Sequence, residues 1–506
     1  MELKVFRDTL PQAGANCTLK AELPLETEVL ISDYLPPIFK LVKCFAKPIV
    51  LQKRLQPGKL LLDGYLRCTL FYQGEDGVGL CQTEQKLPFT KQLELPEFPF
   101  TAWTATVESQ TEYLNSRVVN PRRIEVRGAV SLLVGVRAQD KTEIITALAD
   151  GGIEQKLQTL SGSRSTAVLD KLVTLEGELN FPQTPEAVLD ITGIAEVKEL
   201  KILSGKAVVK GALQVQCAWR AQGEPGLQNQ TAALSLNQVV DLNGITEDSQ
   251  CFCVAEPIGF TLSQGENASA QTLSANVMLH LRAWRPYQLQ YVADAFSTRF
   301  ETALSMREIA TEKLVGTIHE QITSTGSGPL PDAGAHLKAC FVSYGPLQVT
   351  QKGDAFFLNC RAVTTALVEN SLAELESYEK SIELSLPLVM QTPPGGVLYP
   401  ECWISTEDVR CSCTGGTLEV TVTATVEGAI LCRSKVQSLE AIELGEALDA
   451  ASSDIALRIY YAQAGEELFS IAKHFHVSPA RMLAANDLTP ELVNLPQAEH
   501  LLVPGN

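Results

Sequence analysis

The sequence predicts a mainly β protein: three tandem antiparallel β-sandwich-like repeats followed by a small βααβ domain. Three observations carry that expectation. Apolar residues alternate with polar ones at a period of two through most of the chain, the signature of half-buried strands. A block recurs at a spacing of 147 residues, from Gly58 to Gly205. In the last stretch, after residue 457, the apolar spacing changes to the 3.6-residue period of helices.

A chain of 506 residues is long enough for several domains, each with its own core. Its 45% hydrophobic content is that of a globular protein. Lys and Arg total 41 against 59 Asp and Glu, a formal charge of −18. That balance opposes attraction to DNA, RNA and anionic membranes and leaves room for a basic protein partner. No apolar run approaches the roughly 18 residues that mark a membrane span. The start, Met1-Glu2-Leu3-Lys4-Val5-Phe6-Arg7, lacks the apolar core of a signal peptide, so a cytoplasmic protein is expected. Thirteen cysteines at irregular spacings fit reduced thiols used as small buried hydrophobes.

The repeats are anchored by Gly58-Lys59 with Gly64, matched by Gly205-Lys206 with Gly211. A weaker third copy reads Gly353-Asp354, with Asn359 at the second glycine position. Leu35-Pro36 recurs as Leu330-Pro331. Leu80, Leu227 and Leu375 fall in register, as do Phe89, Leu236 and Leu384, and Val126, Leu273 and Val420. This sets repeat 1 at 1–147 (core 26–138), repeat 2 at 148–295 (core 176–286) and a divergent repeat 3 at 296–442 (core 317–436). A linker at 443–456 and a terminal domain at 457–506 complete the chain.

Within the repeats, 59–72, 206–219 and 417–432 alternate as strands; in the last, Leu418, Val420, Val422, Ala424 and Val426 share one face. Turn signals follow at Gln73-Gly74-Glu75-Asp76-Gly77 and Gln222-Gly223-Glu224-Pro225-Gly226. Gly58 and Gly205 suit a turn position of positive φ. Gly64 and Gly211 lie inside strands, which points to a bulge or a close backbone approach. Segments 139–175, 287–316 and 437–456 carry mixed, partly helical patterns such as "DKTEIITALADG" and read either as linkers or as integral parts of each repeat.

In the terminal domain, 458–462 is a first strand. Leu468, Ile471, Ala472 and Phe475 form an amphipathic helix stripe. Ser478-Pro479 supplies a serine cap and a first-turn proline for a second helix carrying Met482, Leu483 and Asn486. Leu501-Leu502-Val503 closes the domain as a strand.

No catalytic constellation emerges. Gly58-Lys59 and Gly205-Lys206 lack the glycine loop and Ser/Thr of a P-loop, and His319-Glu320 has no second histidine of a zinc protease. The Cys251/Cys253 and Cys411/Cys413 pairs each share a strand face, yet no second pair stands at zinc spacing beside either. The acidic run at 369–384 reads as a solvated face. The expectation is a protein that is not an enzyme and uses no cofactor or metal.

Residues 28–89, "EVLISDYLPPIFKLVKCFAKPIVLQKRLQPGKLLLDGYLRCTLFYQGEDGVGLCQTEQKLPF", resemble the SPOCS domain of spore-coat and spore-assembly proteins in endospore-forming bacteria. The likeness is clear again at 176–286 and faint at 317–436. Residues 460–487 resemble a LysM module, with Gly465-Glu466-Glu467 where that family usually has Gly-Asp-Thr. The loop Leu495-Pro496-Gln497-Ala498-Glu499-His500 lacks the usual Pro-Gly-Gln. SPOCS repeats ending in a LysM domain resemble spore-coat morphogenesis proteins. The resemblance implies a scaffold at the outer forespore surface in the mother cell, docked through LysM to the coat-basement ATPase, stage IV sporulation protein A, and recruiting other coat proteins. The partner groove would comprise Gly465, Glu466, Glu467, Leu468, Phe469 and Asn486. Phe469 falls off the helix stripe and is the better anchor; Leu468 fits the core. The alternative is a peptidoglycan- or glycan-precursor-binding protein using the same domain as a sugar clamp.

Overall fold

The computed structural model describes residues 3–33, 35–75, 79–149, 152–223, 227–267, 269–392, 395–448 and 458–504. It is mainly β, built from antiparallel sheets, and one pairing scheme recurs three times. In the first third, β1 (Lys4–Leu30), β6 (Arg123–Ala149) and β5 (Ala102–Asn120) form one sheet in that order. The facing sheet runs β2 (Ile38–Gln56), β3 (Lys59–Gly74), β4 (Leu80–Glu94). The second third pairs β7 (Ile153–Asn180), β12 (Ala270–Ser297) and β11 (Gln250–Asn267) opposite β8 (Pro185–Leu203), β9 (Lys206–Ala221) and β10 (Leu227–Asp241). The third pairs β13 (Phe300–Pro329), β19 (Thr417–Ala447) and β18 (Val397–Thr414). Opposite them, β16 (Ala355–Glu369) is flanked by β17 (Leu375–Leu388) on one side and by β14 (His336–Tyr344) and β15 (Gln348–Lys352) on the other.

Alternation builds the cores. Leu418, Val420, Val422, Ala424 and Val426 are all buried on one face of β19. Across the second pair of sheets Leu213, Val215, Cys217 and Trp219 meet Leu273, Ala275, Val277 and Leu279. Each such large side chain contributes about 1.5–3 kcal/mol when withdrawn from water.

The glycines work as their positions require. Pro57-Gly58 and Ser204-Gly205 are two-residue turns with φ of +72° and +74° at the glycine. A Cβ on Gly64 would lie 2.0 Å from the Ile49 carbonyl oxygen, and one on Gly211 equally 2.0 Å from that of Glu196. Both stand beside register shifts in the neighbouring strand, at Val50/Gln52 and Val197/Glu199. The third copy departs from the expected register. Gly353, at φ +61°, takes the first turn position rather than the second. Gly64 pairs with Phe89 and Gly211 with Leu236, but Leu384 pairs with Cys360. Cys360, not Asn359, therefore occupies the second glycine position. Its side chain is accommodated because the neighbouring strand breaks into β14 and β15 at 345–347, where the Cys360 thiol donates to the Gly345 carbonyl at 3.2 Å.

The segments with partly helical patterns are strands. Described residues of 139–175, 287–316 and 437–447 extend β6, β7, β12, β13 and β19 into three long two-stranded ribbons, in which Lys4 pairs with Ala149, Ile153 with Ser297 and Phe300 with Ala447. The ribbons pack on one another through Leu10, Ile144, Leu160, Tyr291 and Ile309, and through Ile145, Leu148, Val292, Ala295 and Leu439. Both faces of these strand ends are covered, so adjacent Ile144 and Ile145 are each buried and the period-two signal is lost. The expected limits 147/148, 295/296 and 442/443 fall inside β6, β12 and β19. Residues 449–456 of the expected linker and residue 457 of the expected terminal domain lie outside the described residues.

Candidate functional site

The tail contains β20 (Arg458–Ala462), α1 (Leu468–His474), α2 (Pro479–Ala485) and β21 (Glu499–Val503), with β20 antiparallel to β21. Leu468, Ile471, Ala472, Met482, Leu501 and Val503 fill its core. Ser478 occupies the N-cap of α2 ahead of Pro479, but its hydroxyl makes no capping bond.

The six expected groove residues do not converge on one open surface. Gly465 holds φ +86° in the turn, and its amide donates to the Leu495 carbonyl at 2.8 Å. Glu466 serves its own loop: Gln463 N–H and the Tyr460 hydroxyl donate to its carboxylate at 3.0 and 3.3 Å. Leu468 is buried in the tail core. Asn486 ties α2 to β21, donating to the Met482 and Leu502 carbonyls at 2.8 Å each and accepting from Leu502 N–H at 2.6 Å.

Glu467 and Phe469 instead face the body of the chain. Glu467 meets Lys156 of β7 at 2.5 Å. The Phe469 ring stands edge-on to Phe296 of β12, centroids 5.3 Å apart. Lys473 meets Asp294 at 2.5 Å, and His476 Nδ1 lies 3.1 Å from the Ser297 carbonyl oxygen. A cleft of about 680 Å³ runs along this seam, lined from the tail by Glu467, Ser470 and Lys473. Sequence reading missed Lys156, Asp294, Phe296 and Ser297. They lie within 139–175 and 287–316, whose pattern named no strand.

A second constellation sits where the three pairs of sheets meet. Arg282 on β12 binds Glu401 on β18 at 2.6 Å and Asp170 on β7 at 2.9 Å. Arg137 on β6 also reaches Glu401, at 2.9 Å, and Lys53 on β2 reaches Asp170 at 2.9 Å. His280 bridges Asp170 and Glu256 at 3.0 and 3.2 Å and stacks on Trp403. Burial pushes the Glu401 carboxyl up, but Arg282 and Arg137 outweigh it and hold it below the usual carboxylate range. Asp170 is likewise pushed up by burial and held well below that range by the His280 hydrogen bond, Lys53 and Arg282. Apolar contacts back the charges. Phe45, Phe71 and Phe341 join the first and third parts, Ile49, Ile258 and Met278 the first and second, and Phe252, Trp284 and Leu431 the second and third.

Cys251 and Cys253 pack on the core of the second part, and Cys411 and Cys413 on that of the third. Burial raises the Cys251 thiol to about 11 and that of Cys253 to about 12, which disfavours the thiolate a metal requires. Among the described residues no cluster of three His, Cys, Asp or Glu is placed to hold a metal ion. No described helix is long and apolar enough to cross a membrane.

Residues 37–119, from the start of β2 to the end of β5, match the family model described as SipL, SPOCS domain. The match covers one stretch of the first third of the chain and points to a SPOCS domain there and to a role related to sporulation. No curated protein and no solved structure matches the chain significantly.

Proposed function

We propose that the chain is a non-enzymatic scaffold for spore-coat assembly, working at the outer forespore surface in the mother cell. Three SPOCS-like repeats organise coat proteins, and a LysM-like tail docks on the coat-basement ATPase, stage IV sporulation protein A. The architecture resembles the clostridial coat-morphogenesis protein SipL. The observation that carries the reading is the SPOCS match over 37–119. The recurrence of one strand-pairing scheme in all three parts supports it. On the tail, Glu466 and Glu467 make the partner loop acidic, which selects a basic protein patch over a neutral glycan.

The test is capture from sporulating mother-cell lysate with and without residues 457–506, scored by mass spectrometry for the ATPase. The full chain retains the ATPase and the truncated chain loses it. Equal capture by both overturns docking through the tail, and micromolar binding of chitin oligomers with no ATPase retained overturns the reading in favour of a glycan clamp.

A further inference from the structure

We infer that the tail is latched onto the body through the face that receives its partner, so that docking of the tail and capture of the partner compete. This rests on the reading of Glu467 and Phe469 as partner-binding residues. Lys156 and Asp294 are directly opposed across β7 and β12. Each reaches a residue of opposite charge on the tail: Lys156 to Glu467 before α1, and Asp294 to Lys473 in its last turn, both at 2.5 Å. Phe469 rests on Phe296 between the two pairs. Lys156 thus holds the place that a basic side chain of the partner would take against the acidic loop.

The contact is built to be displaced. Its four charged side chains are between 22 and 34% exposed, so water reaches both pairs and weakens them. Partly exposed pairs of this kind contribute little each, and the apolar share rests on Phe296, which is fully buried against Phe469 and the core of the tail. A partner offering its own basic and aromatic contacts has these and the His476–Ser297 hydrogen bond to replace.

The experiment uses the full chain, Lys156→Glu, Asp294→Lys, and the swap Asp294→Lys/Lys473→Asp. Hydrogen exchange over 468–476 reads the latch; binding of purified coat-basement ATPase reads capture. Each single reversal should speed exchange about tenfold and tighten capture about three- to tenfold, and the swap should restore both, which rules out misfolding as the cause. Unchanged exchange on reversal overturns the latch. Faster exchange with unchanged or weaker capture, where the parent chain binds the ATPase, overturns the competition. Exchange that responds as expected with no ATPase bound by any variant overturns the partner reading and leaves the docking standing.

Discussion

Arg282 Nε lies 2.6 Å from Glu401 Oε1, and both side chains are only 2% exposed. The two belong to the second and third parts of the chain, and Arg137 from the first part closes on the same carboxylate. Arg282→Met leaves Glu401 short of one partner and Asp170 short of another. It should cost about 3–5 kcal/mol, the range for a buried pair broken from one side. Chemical denaturation followed by tryptophan fluorescence measures it; a loss under 1 kcal/mol would show that the junction holds by apolar packing alone.

The same cluster sets an acid limit. Asp170 and Glu401 are held below their ordinary values, so the unfolded chain binds protons before the folded one does. Their stabilisation is complete above about pH 4, the unfolded value, and drains away as pH falls through the depressed folded values. Melting temperature should drop steeply below pH 4, and Glu401→Gln should flatten that slope.

Asp190 works in the opposite direction. Burial raises its carboxyl to about 6, so the folded state binds the proton first and stability rises as pH falls from 7 towards 4. Asp190→Asn should add about 1–3 kcal/mol at pH 7 and almost nothing at pH 4. A destabilised Asn variant at pH 7 would mean that the carboxylate is satisfied where it sits.

Gly64 and Gly211 share one backbone contact, and the prediction is a matched pair. Alanine at either site meets a carbonyl oxygen at 2.0 Å and should cost about 3 kcal/mol or more, because a backbone atom has to move. Gly205→Ala has open space around it and should cost about 1–2 kcal/mol, the strain of positive φ alone. Equilibrium melts of the three variants decide it; equal losses would refute the distinction.

Asn486→Ala removes three hydrogen bonds, two of them joining α2 to Leu502 of β21. A loss of about 2–3 kcal/mol is expected, seen as faster amide exchange at Leu502 with no change in the sheets of residues 4–447. Unaltered exchange there would assign the closure of the tail to its apolar core.

Period-two alternation made the strands of the sandwiches legible, and Gly58, Gly64, Gly205 and Gly211 announced their turns and close approaches correctly. The long ribbons were illegible for a physical reason. Ile144 and Ile145 are neighbours on opposite faces, and both faces are covered, so the alternation that marks a strand vanishes where burial is two-sided. The third copy misled by one residue because an altered turn shifts Cys360 into the place of a glycine. In the tail Leu468, expected in the partner groove, is buried core instead, the alternative its place in the helix stripe allowed. Nothing local in Phe469 or Glu467, however, reports that Phe296 and Lys156 arrive from more than 170 and 300 residues upstream.

That distance has a temporal side. Ser297 leaves the ribosome about 160 residues before Arg458, an interval of about 8–30 s at ordinary rates of synthesis. Throughout it the platform around Phe296 stands bare, an apolar ring flanked by Lys156 and Asp294 with nothing yet made to cover it. A chain that stops short of residue 457 prolongs that exposure indefinitely. Truncating the tail therefore creates a new adhesive surface as well as removing an old one, and a truncated chain that sticks to itself reports on Phe296 rather than on the missing domain.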